Sequence, residues 1–307
     1  MELNKTTLNL ILKKHGFTKI KKHLRQTAKN QILVAQKDKK DYFIKITADP
    51  EHFSNLINEV EANKFINRTK PDDLLFSTPE AKLVKNKNYC LGIFEFIKGQ
   101  NLADQSSLKI NYQPTDKEME ELFQIQAFFY QVKKNELTKY FIETSSTYSF
   151  KAYQLKIDKY LERPLGKLIS EKEKQQLIKN MKQIGYKRAF QHHDFVLWNM
   201  FRRGQEIVLA DAEFARWGMK WYDIAYFFIQ TYIYLQSPRY AQKCLAYFIK
   251  RFEQEFPRIN IRREIMFPMN YRITANLNES LGNKKLERLA RKLLDRILTN
   301  DFNQLLR

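Results

Sequence analysis

The chain has 307 residues, 43% hydrophobic and 14% aromatic, enough for one large domain or two lobes with real cores and inconsistent with intrinsic disorder. Its two cysteines, Cys90 and Cys244, match no metal-ligand spacing and suggest no disulfide framework, so a reducing cytoplasm is expected. The 54 Lys and Arg against 34 Asp and Glu leave a formal net charge of +20, which attracts polyanions but is spread along the chain rather than gathered in one block.

The first 17 residues carry Leu8, Leu10, Ile11 and Leu12, followed at once by Lys13 and Lys14. With no small-residue cleavage site they do not read as a signal peptide, and no window approaches the length of a membrane-spanning helix. Residues 31–36 and 41–46 are β-rich runs with a polar stretch between them, the pattern of a hairpin. Residues 53–67 then predict a helix with Leu56, Ile57, Val60 and Ile66 on its apolar positions. Two more strands are expected over 81–84 and 89–97, the second broken by Lys98-Gly99.

From about residue 115 the signal turns helical. Met119, Leu122, Ile125, Phe129 and Val132 follow the spacing of an amphipathic helix, and residues 151–187 suggest two more. Leu286, Leu289, Leu293 and Ile297 mark a last helix whose Arg288, Arg291, Lys292 and Arg296 form a solvated face. The simplest organisation is α+β: a β-rich lobe over residues 1–98 joined to a mainly α-helical lobe over 99–307.

The residues fit for chemistry lie in three segments: 192–199, 207–213 and 221–225. Phosphoryl transfer needs a carboxylate beside the attacking hydroxyl and hard oxygen ligands that hold magnesium against the phosphates. Asp194 and Asn199, on one loop, offer the carboxylate and a metal ligand. Asp211, at the end of an apolar strand-like run, offers a second ligand.

These segments resemble the aminoglycoside phosphotransferase and choline kinase family, relatives of protein kinases. His192-x-Asp194, Asn199 after four intervening residues, Asp211-Ala-Glu213 and the Trp221-Tyr-Asp223 segment follow the family order. The resemblance implies a protein-kinase-like, two-lobed fold, with Asp194 as catalytic base and Asn199 and Asp211 as metal ligands. By the same resemblance Lys45 holds the α- and β-phosphates and Glu59 pairs with it, Ala62 and Ile66 sharing its inward face; Glu61 stays open as the alternative. The backbone at Glu95 and Ile97 is then the adenine-binding hinge, His192 supports the loop, and Asp223 braces it. Glu213 either binds substrate or balances local charge. The sequence departs from the family at His193, which stands in place of glycine, at Ala212, where tryptophan is frequent, and in a glycine-free loop near 26–30.

The expected activity is therefore ATP- and magnesium-dependent transfer of the γ-phosphate to a small-molecule hydroxyl, on a sugar, polyol or lipid-linked saccharide. An aminoglycoside or choline/ethanolamine acceptor is an alternative, which the sparse acids after residue 230 disfavour. A kinase-like protein without catalysis, binding RNA or an anionic membrane, is another. No specific nucleic-acid partner is expected, and peripheral membrane contact stays open.

Overall fold

The computed structural model describes residues 3–26, 30–112, 115–137, 150–161 and 169–307. The chain divides into two units: residues 1–100 with 201–215, and residues 101–200 with 216–307. Segment 201–215, which the sequence reading leaves in the second lobe, thus folds with the first.

The first unit opens on α1 (Lys5–Lys14), whose N-cap Asn4 accepts the Thr7 N–H at 2.9 Å and whose last turn carries Lys13 and Lys14, matched to the helix dipole. Strands β1 (Lys19–Gln26), β2 (Gln31–Lys37) and β3 (Lys40–Thr47) follow. Asp38 and Lys39, both at positive φ, close the β2–β3 turn in the hand that suits a two-residue hairpin. Helix α2 (Phe53–Thr69) and strands β4 (Phe76–Ser77), β5 (Ala81–Lys85) and β6 (Cys90–Glu95) come next. One antiparallel sheet runs in the order β1-β2-β3-β6-β5. Leu8, Ile11 and Leu12 of α1 pack with Phe17 and with Leu33, Ile44 and Leu91 of the sheet, while Phe53, Leu56 and Val60 of α2 join Cys90 and Phe94 in a second cluster.

The second unit is mostly helical: α3 (Asp116–Gln131), α4 (Phe150–Leu161) and α5 (Glu171–Ile184) precede strand β7 (Arg188–Gln191). Capping boxes at Thr115/Glu118 and Ser170/Glu173 start α3 and α5. The chain then supplies β8 (Met200–Arg203) and β9 (Glu206–Leu209), with β9 parallel to β4, before β10 (Arg216–Met219) pairs antiparallel with β7. Helices α6 (Tyr222–Ile233), α7 (Pro238–Glu255), α8 (Met266–Ser280) and α9 (Lys284–Leu298) complete it. Tyr153 and Ile157 of α4, Met219 of β10, Tyr222 of α6 and Phe267 and Tyr271 of α8 form one buried cluster. No helix among the described residues is long and apolar enough to cross a membrane.

The expected helices and strands are present with shifted ends: the strand expected to reach residue 97 stops at Glu95, and β1 was not foreseen. Of the glycine-free loop near 26–30, residues 27–29 lie outside the described residues.

Candidate active site

In the first unit Lys45 sits mid-strand, opposite Ile32 on β2 and Gly92 on β6, and is 5% exposed. A lysine so buried needs counter-charges. Glu59 supplies one, with both of its carboxylate oxygens 2.8 Å from Nζ, and Asp211 the other, its Oδ1 2.6 Å from the same nitrogen. Burial opposes the charge on Lys45, but the Glu59 and Asp211 carboxylates overcome it and raise its pKa. Burial pushes the Glu59 carboxyl up to about 7 against the pull of Lys45.

The helical reading of α2 places Glu59 on the buried face and Glu61 outside it, where Glu61 pairs with Lys64 at 2.9 Å. Glu59 is the partner.

Asp211 follows β9 in a left-handed conformation, φ 66°, and Glu213 lies two residues on. Oxygens of Glu59, Asp211 and Glu213 come within 4.8 Å of one another, a hard donor set of the type a divalent cation takes. Asn58 on α2 fixes this turn, donating to the carbonyls of Glu213 at 3.0 Å and Ala215 at 2.9 Å. Ala212 is fully buried, so the wider tryptophan of the family has no room without repacking.

Glu95, last residue of β6, donates its N–H to the Glu80 carbonyl at 2.8 Å, and Ile97 lies in the irregular segment after the strand. Arg203 on β8 binds the Glu95 side chain at 2.6 Å, Glu206 at 2.8 Å and Ser77 Oγ at 3.3 Å. Nothing in the sequence signals this arginine, because Glu95 is 108 residues away. At Gly99 a Cβ would meet the Arg202 carbonyl at 2.5 Å, so glycine there permits close backbone approach.

In the second unit the loop from His192 to Asn199 follows β7 and leads into β8. Asp223, in the first turn of α6 and fully buried, accepts the N–H of His192 at 2.6 Å and of His193 at 2.7 Å. Its own N–H donates to Gln191 Oε1 at 3.0 Å, which closes the brace. Burial pushes the Asp223 carboxyl up to about 7, opposed by those two backbone N–H groups. His192, fully buried and stacked on Phe129, accepts the Asp194 N–H at its Nδ1 over 3.3 Å. Asn199 donates to the Asp194 carboxylate at 2.8 Å and to its carbonyl at 3.1 Å, tying together the two residues that the sequence spacing paired.

His193 keeps the left-handed backbone expected of glycine, φ 68°. Its ring packs 4.3 Å from that of Tyr222, and a Cβ on Gly218 would fall 2.3 Å from its Nε2. The glycine missing from the loop is compensated by a glycine on β10. Burial and the neighbouring cations hold the His193 pKa well below the ordinary histidine value of 6.5.

A family model described as the phosphotransferase enzyme family matches residues 22–258. Among solved structures, aminoglycoside phosphotransferase APH(4)-Ia superposes with a TM-score of 0.62 at 13% identity, over 96% of this chain and 98% of that one. The streptomycin–ATP ternary complex of APH(2")-IIa gives 0.63 at 14%, over 96% and 99%. A GDP complex of an aminoglycoside 2'-phosphotransferase-IIIa variant gives 0.61 at 15%, over 98% and 100%. No curated protein matches the sequence. At such identities the structural likeness establishes the kinase-like phosphotransferase fold. With more than half of the chain matched by the family model, the chain belongs to the phosphotransferase enzyme family.

Proposed function

We propose that this phosphotransferase moves the γ-phosphate of ATP to a hydroxyl of a small-molecule acceptor, a sugar, polyol or lipid-linked saccharide, in the cytoplasm. The observation that carries the reading is the Lys45–Glu59–Asp211 cluster, with Nζ 2.6–2.8 Å from three carboxylate oxygens. Lys45, fixed by Glu59, draws the α- and β-phosphates into line, and the backbone at Glu95 and Ile97 receives adenine. The Glu95 N–H is engaged by Glu80, so that residue offers its carbonyl.

Asp194 orients the acceptor hydroxyl and takes its proton as the oxygen attacks the γ-phosphorus. A new P–O bond forms while the bond to the β,γ-bridging oxygen breaks, and ADP leaves with that electron pair. Asn199 and Asp211 are the residues that would hold magnesium, whose positive charge neutralises the phosphate oxygens. His192 and Asp223 keep the loop in place, and Glu213 is left to the metal or to the substrate. Positioning and electrostatics supply the acceleration, with turnover in such enzymes ~1–100 per second.

The relatives act on aminoglycosides, so a polycationic acceptor is the second reading. Both predict that Asp194→Asn abolishes transfer while ATP with magnesium still raises the melting temperature. Labelled ATP and a host metabolite extract, read by mass spectrometry, identify the compound that gains phosphate. Wild-type transfer by Asp194→Asn would remove Asp194 as the base. A protein that ATP and magnesium leave unstabilised, with steeply salt-dependent RNA affinity, would be a binding protein instead.

A further inference from the structure

Strand β6 ends at Glu95, and no hydrogen bond among the described residues engages the backbone of Phe96, Ile97 or Lys98. A strip of chain with its N–H and C=O groups unpaired has no ladder to hold its shape. Its two ends, however, are fixed to consecutive residues of β8. Arg203 binds the Glu95 carboxylate at 2.6 Å, and the Gly99 backbone lies so close to the Arg202 carbonyl that a Cβ would fall 2.5 Å from it. All of these residues belong to the first unit.

Arg203 is itself held in one orientation. Glu206, three residues on across the turn at Gly204, accepts from Nε at 3.1 Å and from Nη2 at 2.8 Å, a fork that fixes the plane of the guanidinium. Nη2 also reaches Ser77 Oγ on β4 at 3.3 Å, and Nη1 is the nitrogen that meets Glu95. One side chain thus joins β4, β6 and β8 where the expected adenine-binding segment begins. Fold stability is a poor account of this arrangement. The Arg203 and Glu95 side chains are 35% and 38% exposed, and pairs so exposed contribute little to folding. What the arrangement supplies is a fixed position for Glu95.

We infer that Arg203 is a positioning residue for the nucleotide base: by holding the Glu95 side chain it presets the Glu95 carbonyl and the Ile97 N–H that receive adenine. The inference rests on the phosphotransferase reading and deepens it. Arg203 acts through Glu95 rather than on the base. Its contribution is ordering that ATP would otherwise have to impose on residues 95–99 as it binds.

The test titrates two probes into the full chain by calorimetry, each with magnesium. One is a non-hydrolysable ATP analogue; the other is inorganic tripolyphosphate, which has the phosphates without the base. Arg203→Gln weakens the analogue roughly three- to tenfold, the range for a few groups newly ordered on binding, and leaves tripolyphosphate within about twofold. Glu95→Gln keeps the backbone carbonyl but loses the ion pair, so it reproduces this loss and serves alone should Arg203→Gln fail to fold. The double variant loses no more than either single one, because both remove the same contact. Arg203→Lys, which retains a charge for Glu95, recovers part of the affinity.

Equal weakening of both probes would mean general damage to the unit and would overturn the inference. Unchanged affinity for the analogue, or additive losses in the double variant, would overturn it too, with the phosphotransferase reading left intact. A wild type that does not bind the analogue at all overturns that reading instead, and the role of Arg203 with it.

Discussion

Glu59 holds Lys45 with both of its carboxylate oxygens, each 2.8 Å from the ammonium nitrogen, while Glu61, two residues on, pairs with Lys64 on the opposite side of the same helix. Neutralising the two glutamates separates a buried ion pair from an exposed one. Glu61→Gln changes stability by no more than about 0.5 kcal/mol, as surface pairs do. Glu59→Gln leaves Lys45 with Asp211 as its remaining carboxylate and costs about 2–4 kcal/mol. It also raises the concentration of ATP needed for half-maximal stabilisation. Urea denaturation and an ATP thermal-shift titration of both variants measure this, and equal effects would contradict the assignment of Glu59.

Asp223 is a second buried carboxylate, and its two oxygens are divided between the N–H groups of His192 and His193. An asparagine of the same shape turns one acceptor into a donor that faces an N–H. Asp223→Asn should therefore destabilise the protein by about 2–4 kcal/mol through an unsatisfied buried group. Transfer should fall by more than the unfolded fraction accounts for, because the loop that carries Asp194 loses its anchor. If activity at a temperature where the variant is folded equals wild type, Asp223 braces nothing that matters to transfer.

The three segments between 192 and 223 were readable because phosphoryl transfer needs few groups at nearly fixed separations, so function writes itself as spacing. Glu59 is distinguishable from Glu61 for a similar reason, the helical period that puts Ala62 and Ile66 on its face. Other features leave no such trace. Strand β1 has the sequence KIKKHLRQ, which looks polar because it is the sheet edge, where charged side chains face solvent. The Arg203–Glu95 pair and the return of residues 201–215 to the first unit depend on tertiary folding across about a hundred residues. The substitution at 193 was visible, but its compensation by Gly218, on a different strand, was not.

That compensation is testable. A methyl group on Gly218 would lie 2.3 Å from His193 Nε2, inside any acceptable contact. Gly218→Ala should cost about 1–3 kcal/mol in the wild-type background, the usual penalty of overpacking. His193→Gly is tolerated by the backbone, since φ 68° suits glycine, and it removes the obstacle. In that background Gly218→Ala should cost markedly less, giving a double-mutant coupling of about 1 kcal/mol or more. Additive losses would mean that the two positions do not compete for the same space.

His193 also predicts how stability depends on pH. Burial, with Arg216, His192, Lys156 and Arg272 around it, keeps its folded pKa well below 6.5, the value it regains on unfolding. Below pH 6.5 the unfolded chain therefore binds a proton that the folded chain refuses. The contribution of His193 is intact above that pH and declines as pH falls, by up to about 1.4 kcal/mol per unit. Glu59 and Asp223, pushed up to about 7, have the opposite sign: their contribution is full at low pH and declines as pH rises from the ordinary carboxylate range through 7. The raw pH profile mixes the two trends. The difference between wild type and His193→Asn cancels the carboxylates, since asparagine accepts a left-handed backbone and does not titrate. Urea unfolding at pH 7.5, 6.5 and 5.5 should show the wild type losing about 1 kcal/mol relative to the variant across the lower interval and about a third of that across the upper one. Parallel profiles would mean that the ring takes up its proton in the folded protein as readily as in the unfolded chain, and would contradict the burial of an uncharged ring.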